Sequence, residues 1–554
     1  MNSSNIKTQM LIFKQNLKET FFVWKSSILI SLLIWFITTV LQIDRLFFSY
    51  DQETSKMLMV KVSYFIFLLC LTKFILYTKN KISSGDSEFL RGWQIFKVYF
   101  SILLVIMLLV WPGTWQWDDL WTLIEISQYN SFHAWQHIFT GYFHDIFLQL
   151  LPFPAGIIII RNFINAICVA FAIVKLEKLF GIKKFKNKLI DYSVKLIPFL
   201  LPPVLIYQFS GYRIGQYVFL ELAFLVMLIS GLKEKEKITV PYISLLIFLC
   251  VICSCWRTES FLYIPSTCIA IIFYKNNILS KKRKIIIVCS IIIGFIVCNN
   301  AQQKALGNSN YEIISLATPC TEVIRIADKE KDKDLLDILN KVVSVNTILK
   351  TKNSGTALYW QEKLLQKSYT KEDYNNFLKA FLKLSIRYPK VVINERLGMF
   401  IHSIAKGGRS SISDSYYLFE ENANRAAKAV LNKNWFAFTP TFKKIRKKVV
   451  NALGFIKIHS NKSIMLRNAV YGVIVPILCL LYAFLYCTLK KKWFYSILSA
   501  AVIFRIVIVI LTEPDALFMY YLSFYFLGYI LLFYYLLYRL FNGAEQNIDG
   551  SIRS

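Results

Sequence analysis

Between Lys97 and Arg161 the sequence has no lysine or arginine, yet it carries Asp118, Asp119, Glu125 and Asp145 and three of the five histidines, His133, His137 and His144. Carboxylates and imidazoles are the side chains that move protons or ligate metals near neutral pH. The adjacent pair Asp118 and Asp119 could take a proton from a hydroxyl or hold a divalent cation. His133 and His137 stand at i and i+4, a spacing that puts both on one face of a helix, as two metal ligands require. Two ligands alone do not complete a metal site, and Trp135 and Phe139 beside them suit an interfacial helix equally well.

The surrounding residues indicate what must position this chemistry. Trp117, Leu120, Trp121 and Ile124 recur at helical spacing, which predicts an amphipathic helix lying in a membrane interface. Asp118 and Asp119 would fall in its first turn, where free backbone N–H groups and the helix dipole favour anions and a carboxylate can also serve as a cap. Further polar groups interrupt apolar runs. Arg213 opens one run, Trp256-Arg257-Thr258-Glu259 forms a tight turn between two others, and Glu513 and Asp515 follow another. Arginine grips phosphate oxygens in a bidentate way. Carboxylates with Arg213 and Arg257 therefore suit a phosphate-bearing ligand and a hydroxyl acceptor. Arg161 and Arg505 lie inside apolar runs, where an ionisable group needs a partner or a cavity. Glu513, two helical turns from Arg505, is the expected partner there.

The chain of 554 residues is 56% hydrophobic with net charge +31; its mean hydropathy is +0.46. About twelve apolar runs approach the length that crosses a bilayer, from 27–44 to 517–538. The run 193–209 is interrupted by Pro198, Pro202 and Pro203. Spanning segments must satisfy their own backbone hydrogen bonds, which predicts an all-α polytopic membrane protein. The positive charge falls in alternate loops, as at Lys175, Lys178, Lys183, Lys184, Lys186, Lys188 and Lys195, while the other short loops hold Arg45, Lys56, Arg213 and Arg257. That alternation is the positive-inside pattern and argues against nucleic acid as the partner. It predicts both termini in the cytoplasm and the cation-free loop outside. The N-terminus shows no cleavable signal, and ten of the eleven cysteines fall in apolar runs, so no disulfide framework is expected.

Three parts follow. Residues 1–299 form a membrane bundle of about nine spans, with the amphipathic loop 113–152. Residues 300–467 form a mainly helical extracytoplasmic domain. Residues 468–554 add three spans and a short cytoplasmic tail. Within 300–467, KDKDLLDILNKVVSV and KEDYNNFLKAFLKLSIRY repeat apolar residues at helical spacing, and Pro389 ends the second run. Lys443, Lys444, Arg446, Lys447, Lys448, Lys457, Lys462 and Arg467 cluster near its end, as a solvated basic face or as a seat for anionic headgroups.

The run Trp111-Pro112-Gly113-Thr114-Trp115-Gln116-Trp117-Asp118-Asp119 resembles the Tyr-Pro-Gly-x4-Asp-Ser motif of bacterial multi-pass proteins that are similar to GT-C-type glycosyltransferases. Trp135-Gln136-His137-Ile138 stands where that pattern has His-Pro. Arg257-Thr258-Glu259-Ser260 resembles a later outer turn of the family, and LKLSIRYPKVVINERLGMF its Tyr-Pro-containing helical stretch. The sequence departs from the pattern at Ile138, at Gly215-Gln216, where Lys-Asp is common, and at Met519-Tyr520, where Arg-Tyr is common. The resemblance implies a GT-C-like helical bundle in the plasma membrane whose first outer loop carries the catalytic acid. Asp118, with Asp119 beside it, would activate an acceptor hydroxyl or hold a divalent cation such as Mg or Mn. Arg257, Glu259, Arg213, His137 and His133 would bind substrate or the departing lipid phosphate. The partners implied are the lipid bilayer, a polyprenyl-phosphate-linked sugar and a glycan or lipid acceptor.

The activity expected on this basis is sugar transfer at the outer face of the membrane. The alternatives are a polysaccharide polymerase and a non-catalytic transporter, flippase or assembly partner in envelope glycan export. A transporter predicts repeated halves and polar groups near mid-membrane; the sequence has no internal repeat.

Overall fold

The computed structural model describes residues 23–48, 54–115, 117–127, 136–233, 239–273, 279–306, 313–404, 440–454 and 461–552. Among these the chain is helical throughout, with no strand beyond two isolated bridges. It is an all-α, multi-pass membrane protein. Among the described residues, nine helices are long and apolar enough to cross a bilayer. Fewer runs reach that length than the sequence predicts. The run over 193–209 is a helix pair, Lys188–Phe199 and Pro202–Gln208, bent by 75°, because prolines remove backbone donors at the break. Val240–Trp256 and Thr258–Phe273 are shorter apolar helices.

The chain divides into two compact units: residues 1–249 with 414–454 and 533–554, and residues 250–413 with 455–532. In the first unit we label α1 (Val23–Val40), α2 (Thr54–Ser83), α3 (Ser87–Leu109), α4 (Trp117–Ile126), α5 (Ile138–Leu150), α6 (Pro154–Phe180), α7 (Lys188–Leu196), α8 (Pro202–Gln208) and α9 (Ile214–Lys233). Helix α6 is the centre of this unit and packs against α3, α5 and α9. Small residues on α6, including Ala155, Ala166 and Ala172, are fully buried and let its neighbours approach. Two ends of the α3–α4 and α8–α9 connections are joined: the Thr114 amide donates to the Phe209 carbonyl at 2.7 Å.

The second unit contains the helices between Ile313 and Ile404. A hydrophobic core runs from Ile313 to Leu384, with Val323, Leu339, Ile348, Leu358 and Phe377 at its centre. Both predicted amphipathic runs are helices, Lys333–Asn340 and Lys371–Arg387. A reciprocal cap between Thr370 and Asp373 opens the second, and Pro389 starts the next helix, Pro389–Ile404.

Candidate functional site

In the first unit the motif around Asp118 is built on a turn that only glycine fits. Gly113 has φ +103°, and a Cβ there would lie 2.1 Å from Ile158 Cδ1. The turn is fastened from three sides. Thr114 bonds Phe209 through both its amide and its hydroxyl. Trp115 is buried and its indole donates to the Pro112 carbonyl at 3.0 Å. Arg446 Nη2 donates to the Gly113 carbonyl at 2.8 Å.

Helix α4 starts at Trp117 with both aspartates in its first turn, as predicted. Its buried stripe, however, is Asp119, Thr122, Leu123 and Ile126, whereas Trp121 and Ile124 of the predicted apolar face are half-buried. The reason is the close approach of the α8–α9 loop: a Cβ on Gly211 would meet the Trp115 ring at 2.4 Å and Asp119 Cβ at 2.8 Å.

The two aspartates diverge. Asp119 is 1% exposed and its charge acts on Arg161. Asp118 is half-buried. Burial holds its carboxyl above the usual range, and the positive charge of Arg213 pulls against that. Arg213 is half-buried immediately before α9. His137 also feels Arg213: burial first, then that charge, pushes the imidazole down to about 3, so it is neutral at pH 7. Asp118, Arg213 and His137 thus share one electrostatic neighbourhood.

Of the predicted histidine pair only His137 lies among the described residues. His137 is the N-cap of α5, with Nδ1 accepting the Phe139 amide at 3.3 Å, so it precedes the helix instead of lying on its face. His133 lies outside the described residues. Gln136, next to the cap, donates to the Thr122 hydroxyl at 3.1 Å and ties this segment to α4. The described residues hold no group of three or more His, Cys, Asp or Glu side chains able to bind a metal ion.

The roles of two residues named from the sequence were missed. Arg161, fully buried in α6, was expected to need a partner or a cavity. It clamps the α8–α9 loop through the carbonyls of Ser210 at 3.0 Å, Gly211 at 2.9 Å and Tyr212 at 2.5 Å. Loop carbonyls brought in from another helix leave no spacing signal. It also accounts for Gly215: a Cβ there would lie 1.9 Å from the Tyr207 carbonyl and 2.9 Å from Arg161 Nη2. The second is Arg446, visible in the sequence only as one of a row of cations.

Arg257 and Glu259 belong to the second unit. Both are buried, Arg257 Nε donates to Glu259 Oε1, and the Arg257 guanidinium sits 5.6 Å from the Tyr520 ring centroid. Tyr520, retained beside the departure at Met519, is therefore a contact of Arg257. Arg505 donates to the Tyr263 hydroxyl at 2.5 Å and lies over the Tyr263 and Phe524 rings. The predicted Arg505–Glu513 pairing is replaced: the Glu513 carboxyl accepts from Tyr521 at 3.0 Å and Ser403 at 3.3 Å.

No protein-family model, no curated protein and no solved structure matches this chain.

Proposed function

We propose that this protein is a membrane-embedded glycosyltransferase of GT-C type that moves a sugar from a polyprenyl-phosphate donor to a hydroxyl acceptor at the outer face of the plasma membrane. The observation that carries the reading is the grouping of Asp118, Arg213 and His137 at the first turn of α4. Asp118 is half-buried, so a hydroxyl can reach a carboxylate whose proton affinity burial has raised. That is the requirement for a general base. Arg213 is the cation able to stabilise charge on a departing phosphate. Neutral His137 adds no positive charge that would weaken the base. Asp119, held against Gly211, and Arg161, clamping the loop that leads to Arg213, keep the base and the cation in register. They are positioning residues. The Arg257–Glu259 cluster is a separate anion-binding candidate within the second unit.

The test is turnover of a polyprenyl-phosphate sugar in membranes carrying wild type or Asp118→Asn at equal folded protein. The expected loss is on the order of 10²–10⁴-fold. Equal rates would remove Asp118 from the chemistry, and a folded wild type that turns over none of the donors while surface-glycan export still depends on the protein would favour transport or assembly.

A further inference from the structure

The basic helix Lys443–Gly454 has a buried side and exposed basic and apolar residues. Arg446, Val450 and Gly454, spaced i, i+4, i+8, are buried where the helix packs on α8 and α3. At 100° per residue, Lys444, Lys447 and Lys448 form a second flank, Lys443 stands at the open first position of the helix, and all four are exposed. Phe442 and Ile445 are 50% and 44% exposed. Exposed apolar residues beside a lysine row, on a chain that spans a bilayer, match a helix seated at the level of lipid headgroups. No acidic side chain lies between Phe442 and Gly454 to neutralise the row. Of the other predicted cations, Lys462 and Arg467 belong to the second unit and Lys457 lies outside the described residues.

We propose that this helix is a docking surface for anionic bilayer lipids, and that Arg446 carries its occupancy to the turn before Asp118. The lysines would meet phosphate headgroups while Phe442 and Ile445 enter the acyl boundary. The link to the turn is the Arg446 side chain, which is 4% exposed and donates to the Gly113 carbonyl, four residues before Trp117 opens α4. Lipid that steadies the helix thereby steadies the turn. Arg446 is a positioning residue in this scheme. Its relevance to catalysis rests on the proposed function, whereas the docking itself does not.

The experiment is amide hydrogen exchange of the full chain in nanodiscs of phosphatidylglycerol or of phosphatidylcholine, with a third arm of phosphatidylcholine plus inorganic phosphate. In wild type, phosphatidylglycerol should protect peptides covering 443–454 and 108–115, and inorganic phosphate should protect neither. Replacing the four exposed lysines by glutamine should lower phosphatidylglycerol retention, read by native mass spectrometry, at least about ten-fold, since every cation near an anionic surface adds to the attraction. Arg446→Gln should keep protection over 443–454 and lose its lipid dependence over 108–115. Equal exchange in both lipids, or unchanged retention in the lysine variant, overturns the docking surface. Protection by inorganic phosphate equal to that by lipid would reassign the helix to soluble phosphate. Lipid-dependent protection of 108–115 surviving in Arg446→Gln would remove the link. None of these readouts needs sugar turnover, so a failed transferase assay leaves them standing.

Discussion

If Asp118 takes a proton from the acceptor, only its ionised form works, and its environment fixes the pH at which activity begins. Burial raises its pKa above the ordinary 3.8 and Arg213 partly offsets this. The acid limb of kcat/KM should therefore lie above that value, and Arg213→Gln should move it to higher pH as well as weaken donor binding. A limb that stays put on removing Arg213 would separate the two residues. Gly113 and Gly215 give a second test. Each sits where a Cβ would lie 2.1 Å or less from a neighbour, so Gly113→Ala or Gly215→Ala should cost about 1–3 kcal/mol, read as a lowered melting temperature. The sequence made the aspartates and Gly113 legible, because they form a local motif. The role of Gly215 was not, because its crowding comes from Tyr207 and Arg161, which approach only in the folded chain.

At the scale of elements, the ends of α3, α6 and α7 are locked by four buried charges. Arg91 bonds Glu177 at 2.7 Å and Asp191 at 2.5 Å, and Lys195 bonds the same two carboxylates at 2.5 and 2.8 Å. Each cation touches both anions, so the square is neutral and satisfied. In the sequence Lys195 reads as a topogenic loop charge, since nothing local distinguishes a cation that orients a helix from one that also binds it. Removing one corner leaves an uncompensated buried charge. Lys195→Ala should destabilise the protein by roughly 3–5 kcal/mol. The double variant Asp191→Asn with Lys195→Gln should recover part of this loss in the same melt, and full additivity of the two single losses would show that the square does not act as one network.

At the scale of the whole molecule, stability should depend on pH through Glu513. Burial, opposed by bonds from Tyr521 and Ser403 and by the charge of Arg396, raises its pKa to about 8. Glu395 on the same helix as Arg396 pushes it the same way, and Glu395 is itself held high by burial and by Glu322. An acid whose folded pKa exceeds its unfolded value binds its proton more tightly when folded. Stability is then fully present below the unfolded pKa and falls as pH rises toward about 8. Glu513→Gln should flatten that fall and raise the melting temperature at pH 8 relative to wild type; an unchanged pH slope would locate the titration elsewhere.

The sequence by itself determined that this is a helical membrane protein, that a helix begins at Trp117 with two acids in its first turn, and that amphipathic helices fill 333–340 and 371–387. Hydropathy, helical period and capping residues are local properties, and helices satisfy their hydrogen bonds locally. Only the tertiary structure decided which face of α4 is buried, that His137 caps α5, that Arg161 holds carbonyls, and that Arg446 reaches Gly113 across more than three hundred positions of sequence. Those depend on which elements pack together, and a buried arginine takes whatever acceptors that packing supplies.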